Sequence, residues 1–206
     1  MVAETTKKQS LFFPDFFDGS EYFIDEKAAP FRFGNEYKVY DAAGTALGRI
    51  VQLVPGWHKV LRLFLKKQLF PFTLHLTDNH QKTLVTIRRG WTFWLSTIEV
   101  LDGQGEPLGM ITQKFRLTHS RFKLFRDGRK IAEINGDWKG WNFTIIDKEH
   151  LSIGTITKQW NGIAKELFTT ADKYRVSVHP QNTDQPGKML IVAAAITIDL
   201  VLKESR

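Results

Sequence analysis

The chain contains no cysteine. That excludes a disulfide framework, a thiolate metal site, a cysteine nucleophile and S-palmitoylation. The first ten residues, MVAETTKKQS, hold no apolar run, so no secretory signal is expected and the chain reads as cytoplasmic. Catalytic motifs are missing too: there is no G-x-S-x-G, no phosphate loop and no H-E-x-x-H. Gly103-Gln104-Gly105 followed by Gly109 has the wrong spacing for a dinucleotide fingerprint and suits a hairpin turn. His58, His75, His80, His119, His150 and His179 show no paired metal spacing and read as surface or strand residues. Neither an enzyme nor a metal nor a cofactor is expected.

What is present is a folding chain. Its 206 residues fit one large domain or two small ones. Sixteen Phe and six Trp within 42% hydrophobic content promise a large aromatic core. The net charge of +7 pulls mildly toward phosphate-bearing partners, lipid or nucleic acid. Solubility alone accounts for such an excess equally well.

The C-terminal stretch GKMLIVAAAITIDLVLKESR organises the rest. From Met189 to Leu202 the only polar side chains are Thr197 and Asp199. The Ala193-Ala194-Ala195 run favours helix, and Asp184 and Pro186 suit a helix start. A helix apolar on every side is buried all round or sits in lipid. Fourteen residues with an Asp fall short of the roughly 20 a bilayer needs. The run therefore reads as a central buried helix, with a buried strand and a membrane anchor as its rivals.

A repeat supplies what wraps it. Asp41, Asp78, Asp102 and Asp147 each precede an Ile by nine residues: Ile50, Ile87, Ile111 and Ile156. A shorter copy runs from Asp127 to Ile134 with a spacing of seven. Each unit is an alternating apolar run, a polar turn and a second run, the pattern of a β-hairpin. Asp at the turn entry bonds its own backbone two residues on, and Gly supplies positive φ. Turn capping is thus the expected role of all five Asp. Five hairpins, with Glu21–Asp25 and Tyr174–His179, make about twelve strands. A meander that long removes its edges by closing into a barrel. Twelve strands enclose more space than strand side chains fill, so the apolar helix is expected inside. The fold expected is mainly β: a closed antiparallel barrel of about twelve strands around a hydrophobic C-terminal helix. Residues 1–20 read as a partly flexible N-terminal arm and 21–206 as one domain. Within the arm, Leu11–Phe17 reads as an apolar loop laid over the body. One amphipathic helix is expected over Trp57–Leu69, with Lys59, Arg62, Lys66 and Lys67 opposite its apolar side. A short helix is expected over Gly162–Ala171.

These residues resemble a known family. The hairpin pattern D-x-x-G-x-x-L-G-x-I is followed by Trp160, Gly162, Lys165, Glu166, Phe168, Thr169, Ala171, Asp172 and Tyr174, then Pro180 and a terminal apolar helix with Ile198-Asp199. The pattern resembles the phospholipid scramblase and LURP-one-related superfamily, which shares the tubby C-terminal-like fold, over roughly Glu21 to Glu204. That resemblance implies a closed barrel around a hydrophobic helix. Scramblases carry a cysteine cluster and a Pro-rich N-terminal region, both missing here. Their calcium segment is rich in Asp, whereas Thr170–Gln181 keeps Asp172 as its only carboxylate. Tight calcium sites need several carboxylate oxygens, so none is expected. These departures point toward the soluble LURP-one-related members.

Surface charge is the remaining functional signal. Lys114, Arg116, Arg121, Lys123 and Arg126 alternate with Phe115, Leu117, Phe122 and Leu124, which sets the basic residues outward on two neighbouring strands. Arg88 and Arg89 follow another hairpin. Such a cluster suits an anionic phospholipid membrane, at about 1 kcal/mol per basic residue with strong salt screening. The first expectation is therefore a non-enzymatic domain, cytoplasmic and peripheral to the membrane, whose partner is anionic phospholipid. The alternative, suggested by the LURP-one-related resemblance, is a soluble signalling or stress-response module with a protein partner and an exposed apolar patch near Leu11–Phe17. Nucleic acid ranks low, because the neighbouring aromatics point inward and offer no stacking platform, and lipid transport through the barrel ranks last if the helix fills the interior. Asp199 is the buried polar residue of interest. It must be paired or protonated, either as a structural group near the helix end or as part of an interior site.

Overall fold

A computed structural model describes residues 15–27, 36–53, 70–91, 97–114, 120–137, 139–158, 173–179 and 183–204. A 3-10 turn, Asp15–Phe17, leads into twelve strands: β1 (Glu21–Lys27), β2 (Glu36–Tyr40), β3 (Ala46–Leu53), β4 (Phe72–Asp78), β5 (Thr83–Arg89), β6 (Thr97–Asp102), β7 (Pro107–Lys114), β8 (Ser120–Arg126), β9 (Arg129–Asp137), β10 (Asn142–Asp147), β11 (Ser152–Thr157) and β12 (Lys173–Val178). Helix α1, Gln185–Glu204, ends the described chain. Each strand pairs antiparallel with its sequence neighbours, and β1 pairs with β12, so the sheet is a closed barrel. The expected helices over 57–69 and 162–171 lie outside the described residues, as does Asp172.

The repeat is the machinery of the barrel. In four hairpins the entry Asp accepts backbone N–H groups through Oδ1. Asp41 takes those of Ala43 and Thr45, Asp78 those of His80 and Lys82, Asp102 those of Gln104 and Glu106, and Asp147 that of Leu151, all at 2.8–2.9 Å. The fourth residue of each turn has positive φ: Gly44, Gln81, Gly105 and His150. This is a three-residue loop, a type I turn closed by a left-handed residue. Asp127 departs from the expectation of turn capping. With Gly128 it forms a two-residue turn in which both residues have positive φ, the type I′ geometry. The shorter turn accounts for a repeat spacing of seven instead of nine.

All five repeat isoleucines face inward and are inaccessible to solvent. Each hairpin also carries one extra residue, skipped by the strand register: Leu47, Leu84, Leu108, Ile131 or Ile153. Such bulges bend a sheet, and here they place a second apolar side chain at the barrel mouth. The glycine after Leu108 is forced by contact. A Cβ on Gly109 would collide with the Phe125 carbonyl oxygen and press on Leu190 of the helix.

The size of the barrel fixes its contents. Twelve strands about 4.8 Å apart and tilted about 40° close at a radius of roughly 12 Å. From the axis outward, that is half of a helix about 10 Å across plus one layer of strand side chains. Helix α1 fills the space: Leu190, Val192, Ala194, Ala195, Ile196 and Ile198 are fully buried. By length and composition Gln185–Leu202 also passes as a membrane span, but its apolar surface is covered by strands on every side. Asp184 caps the helix, accepting the Gly187 N–H at 3.0 Å through Oδ1. Lys188 donates to the carbonyl oxygens of Phe17, Asp18 and Gly19 at 3.2–3.3 Å. Phe16 and Phe17 thereby join the core. The expected exposed patch over Leu11–Phe17 is absent at these two residues, because Lys188 ties their backbone beneath the barrel rim; residues 11–14 lie outside the described chain.

Two outcomes are expected in urea denaturation. Asp102→Ala loses two half-buried turn bonds and costs about 1–2 kcal/mol. Gln81→Gly relieves a left-handed non-glycine and stabilises by about 0.5 kcal/mol, the strain relief being partly offset by unfolded-chain entropy.

Candidate functional site

The basic residues singled out by sequence separate into three groups. Lys59, Arg62, Lys66, Lys67 and Arg116 lie outside the described residues. Lys114, Arg121, Lys123 and Arg126 come together on adjoining strands: Lys114 pairs with Arg121 across β7 and β8, and Thr112 with Lys123. Phe122 and Leu124 face the core, so the alternation places Arg121 and Lys123 outward as expected. Arg126 is a correction: two residues after Leu124, it turns to the inner side at the barrel mouth, where it binds the cap of α1. The start of β9, just past the turn, adds Arg129 and Lys130.

Arg88 and Arg89 do not extend this face. Arg88 is exposed, and its guanidinium binds Glu99 across β5 and β6 at 2.6 Å. Arg89 is a correction: it is buried, not displayed. It donates to the Phe70 carbonyl at 2.7 Å and sits 4.5 Å above the Phe72 ring. The reason is period two. Ile87 points inward, so the residue two further on points inward as well. Gln52 and Gln113 stand two residues after Ile50 and Ile111 and are buried in the same way. The inward layer beyond the isoleucines is therefore polar on β3, β5 and β7, a feature that counting from each Ile would have found. Asp199 and Thr197, both fully buried, lie in the half of α1 away from the turns.

Carboxylates temper the basic face. Glu133 on β9 meets Lys130 at 2.9 Å and Lys123 at 3.6 Å. Arg126 binds both oxygens of Asp184 at 2.8 Å, which ties the face to the helix cap. Five cations (Arg121, Lys123, Arg126, Arg129 and Lys130) thus stand against two carboxylates. Arg121 and Arg129 are exposed and make no ion pair among the described residues. The hydrogen bond from Lys130 holds the Glu133 carboxyl below its ordinary range, the charges of Lys130 and Lys123 adding to it and burial opposing. Three net positive charges attract an anionic surface by about 3 kcal/mol before screening. That is roughly two decades of partitioning. The face holds no acid–base pair aimed at a common point and no group of metal ligands among the described residues. What it can do is bind anions.

Comparison with known proteins follows the fold. A sequence model described as Scramblase matches residues 26–205. The chain is 28% identical to phospholipid scramblase 2 of Homo sapiens over 149 residues, 65% of this chain and 50% of that protein. It is 26% identical to human phospholipid scramblase 1 over 151 residues, 66% of this chain and 47% of that protein. Altered inheritance rate of mitochondria protein 25 of Saccharomyces cerevisiae is 21% identical over 218 residues, 85% and 67% of the two chains. The chain spans about half the length of the scramblases it matches. An X-ray structure of an Arabidopsis thaliana protein shares the fold at a TM-score of 0.51 and 12% identity, covering 90% of this chain and 92% of that one. The two human relatives carry the scramblase name, in line with the resemblance seen in the sequence.

The Glu133 network predicts a pH dependence. A carboxyl lowered in the folded state stabilises above its unfolded range and loses that contribution as pH falls through the folded value. Glu133→Gln is expected to lower the unfolding free energy read from urea denaturation at pH 7 by at most about 1 kcal/mol for so exposed a network. The gap to the wild type should close as the pH falls below about 4.

Proposed function

The chain belongs to the Scramblase family, and from that we propose that it is a single non-enzymatic barrel domain over 21–206 that binds anionic phospholipid surfaces peripherally, from the cytoplasm. The observation that carries this reading is the basic surface of β8 and the start of β9. Arg121 and Lys123 stand outward over a wall of buried apolar residues, and Arg126, Arg129 and Lys130 continue the charge at the barrel mouth. The names of the human relatives agree with a phospholipid partner. Lys114 and Arg116 would extend the face, and Lys59, Arg62, Lys66 and Lys67 would add a second basic element. Passage of lipid through the barrel is disfavoured, because α1 fills the interior with fully buried side chains. The rival reading, a soluble signalling or stress-response module with a protein partner, loses support where Phe16 and Phe17 are packed in the core. Nucleic acid fares no better, since Phe122 faces inward and offers no base-stacking surface.

Vesicle co-sedimentation tests the proposal. Retention is expected on vesicles rich in anionic lipid and not on neutral ones, stronger at low salt than at physiological salt. Arg121→Glu with Lys123→Glu should abolish it. Glu133→Gln removes a carboxylate from the face and should strengthen binding several-fold. Equal retention on neutral vesicles, or no response to either change, would sink the reading.

A further inference from the structure

A cleft of about 300 Å³ opens at the turn end of the barrel, beside the basic face. Its floor is apolar: Leu124, Ile131, Ile153 and Ile191 of the helix. Ile131 and Ile153 are there because they are the extra residues of two bulged hairpins. A regular strand would have turned its side chain at each place away from the mouth. The rim is charged. Arg126, Arg129 and Lys130 come from one hairpin and Lys148 from the next.

The rim carboxylates are largely engaged within the protein. Asp184 holds Arg126 and the Gly187 N–H, Asp147 accepts the Leu151 N–H, and Glu149 lies 3.3 Å from Lys148. Arg129 is not so engaged: it is exposed and makes no ion pair among the described residues. The Thr183 hydroxyl, also in the lining, is buried without a hydrogen-bond partner. The cleft thus offers an uncommitted guanidinium and an unused hydroxyl above a greasy floor.

From this combination we infer that the cleft takes the phosphate and glyceryl part of one anionic phospholipid. Arg129 meets the phosphate, in the two-pronged way guanidinium suits such oxygens. Thr183 supplies a further polar contact, and the first carbons of one chain rest on Ile131, Ile153 and Ile191. A volume at the low end of ligand sites admits a head group and the start of a chain, not a whole lipid. The inference rests on the surface reading above and adds to it a single-molecule site. The same hairpin would then meet the membrane by bulk charge and hold one lipid by fit.

The test uses monomeric probes below their micelle concentration, read by backbone amide shifts in the full chain. Dihexanoyl phosphatidylglycerol is expected to give saturable shifts confined to residues 124–131, 147–153 and 183–191. Arg129→Glu, an exposed substitution that leaves the core intact, should weaken binding at least tenfold. Glycerol phosphate, which lacks the chains, should bind at least tenfold more weakly. Equal binding of glycerol phosphate would overturn the lipid assignment in favour of a plain anion site. Equal binding of neutral dihexanoyl phosphatidylcholine, unmoved by Arg129→Glu, would reduce the cleft to a greasy hollow. No shifts at all, with anionic vesicles still retained, would remove the cleft and leave the surface reading standing. Loss of vesicle retention as well would remove both.

Discussion

A twelve-stranded sheet closed on itself encloses a volume that strand side chains leave partly empty, and an empty interior forfeits the contacts that hold a core together. Helix α1 supplies them, and the remaining architecture follows from accommodating it. The helix must be apolar on every face, so Met189 to Leu202 carries only Thr197 and Asp199 as polar groups. It must enter through one end, so Asp184 caps it and Lys188 ties the Phe17–Gly19 backbone across the entrance. It must be approached closely where the sheet bends, so Gly109 faces Leu190 with no room for a Cβ.

Closure also explains why function gathers on the outside. Every strand uses one face to cover the helix, which leaves the other face and the hairpin turns for recognition. On β8 that outer face is basic, and Asp184, the residue that caps the helix, also fixes Arg126. The scaffold and the charged surface therefore share a residue. Glu133 acts on both as well: it orders Lys123 and Lys130 while subtracting from the charge they present. The net charge of this surface is modest, so on the proposed reading specificity for one lipid comes from fit, and there the bulged hairpins matter. The residue that bends the sheet, Ile131 or Ile153, is the one that greases the cleft beside the cations.

The sequence alone determined the barrel, its strand count and its central helix. Each rests on a period that local chemistry enforces: two for strands, an Asp-entered turn every repeat, and an unbroken apolar run. The outward placing of Arg121 and Lys123 was legible for the same reason, whereas Arg126, two residues after Leu124, turns to the inner side at the mouth and binds Asp184. The type I′ geometry at Asp127 was half-legible, since the shortened spacing to Ile134 marked a different turn without naming it. Tertiary structure decided what no local period encodes. The inward turn of Arg89 follows from its two-residue distance from Ile87, but its partners, the Phe72 ring and the Phe70 carbonyl, are supplied by the fold. Phe16 and Phe17 belong to the core because Lys188, some 170 residues away, binds the backbone beside them. The ion pairs of Glu133 and Asp184, and the cleft between two hairpins and a helix, join residues that only chain closure brings together. Charge neutralisation and cavity shape depend on distances across the fold, and those are set when the helix seats in the barrel.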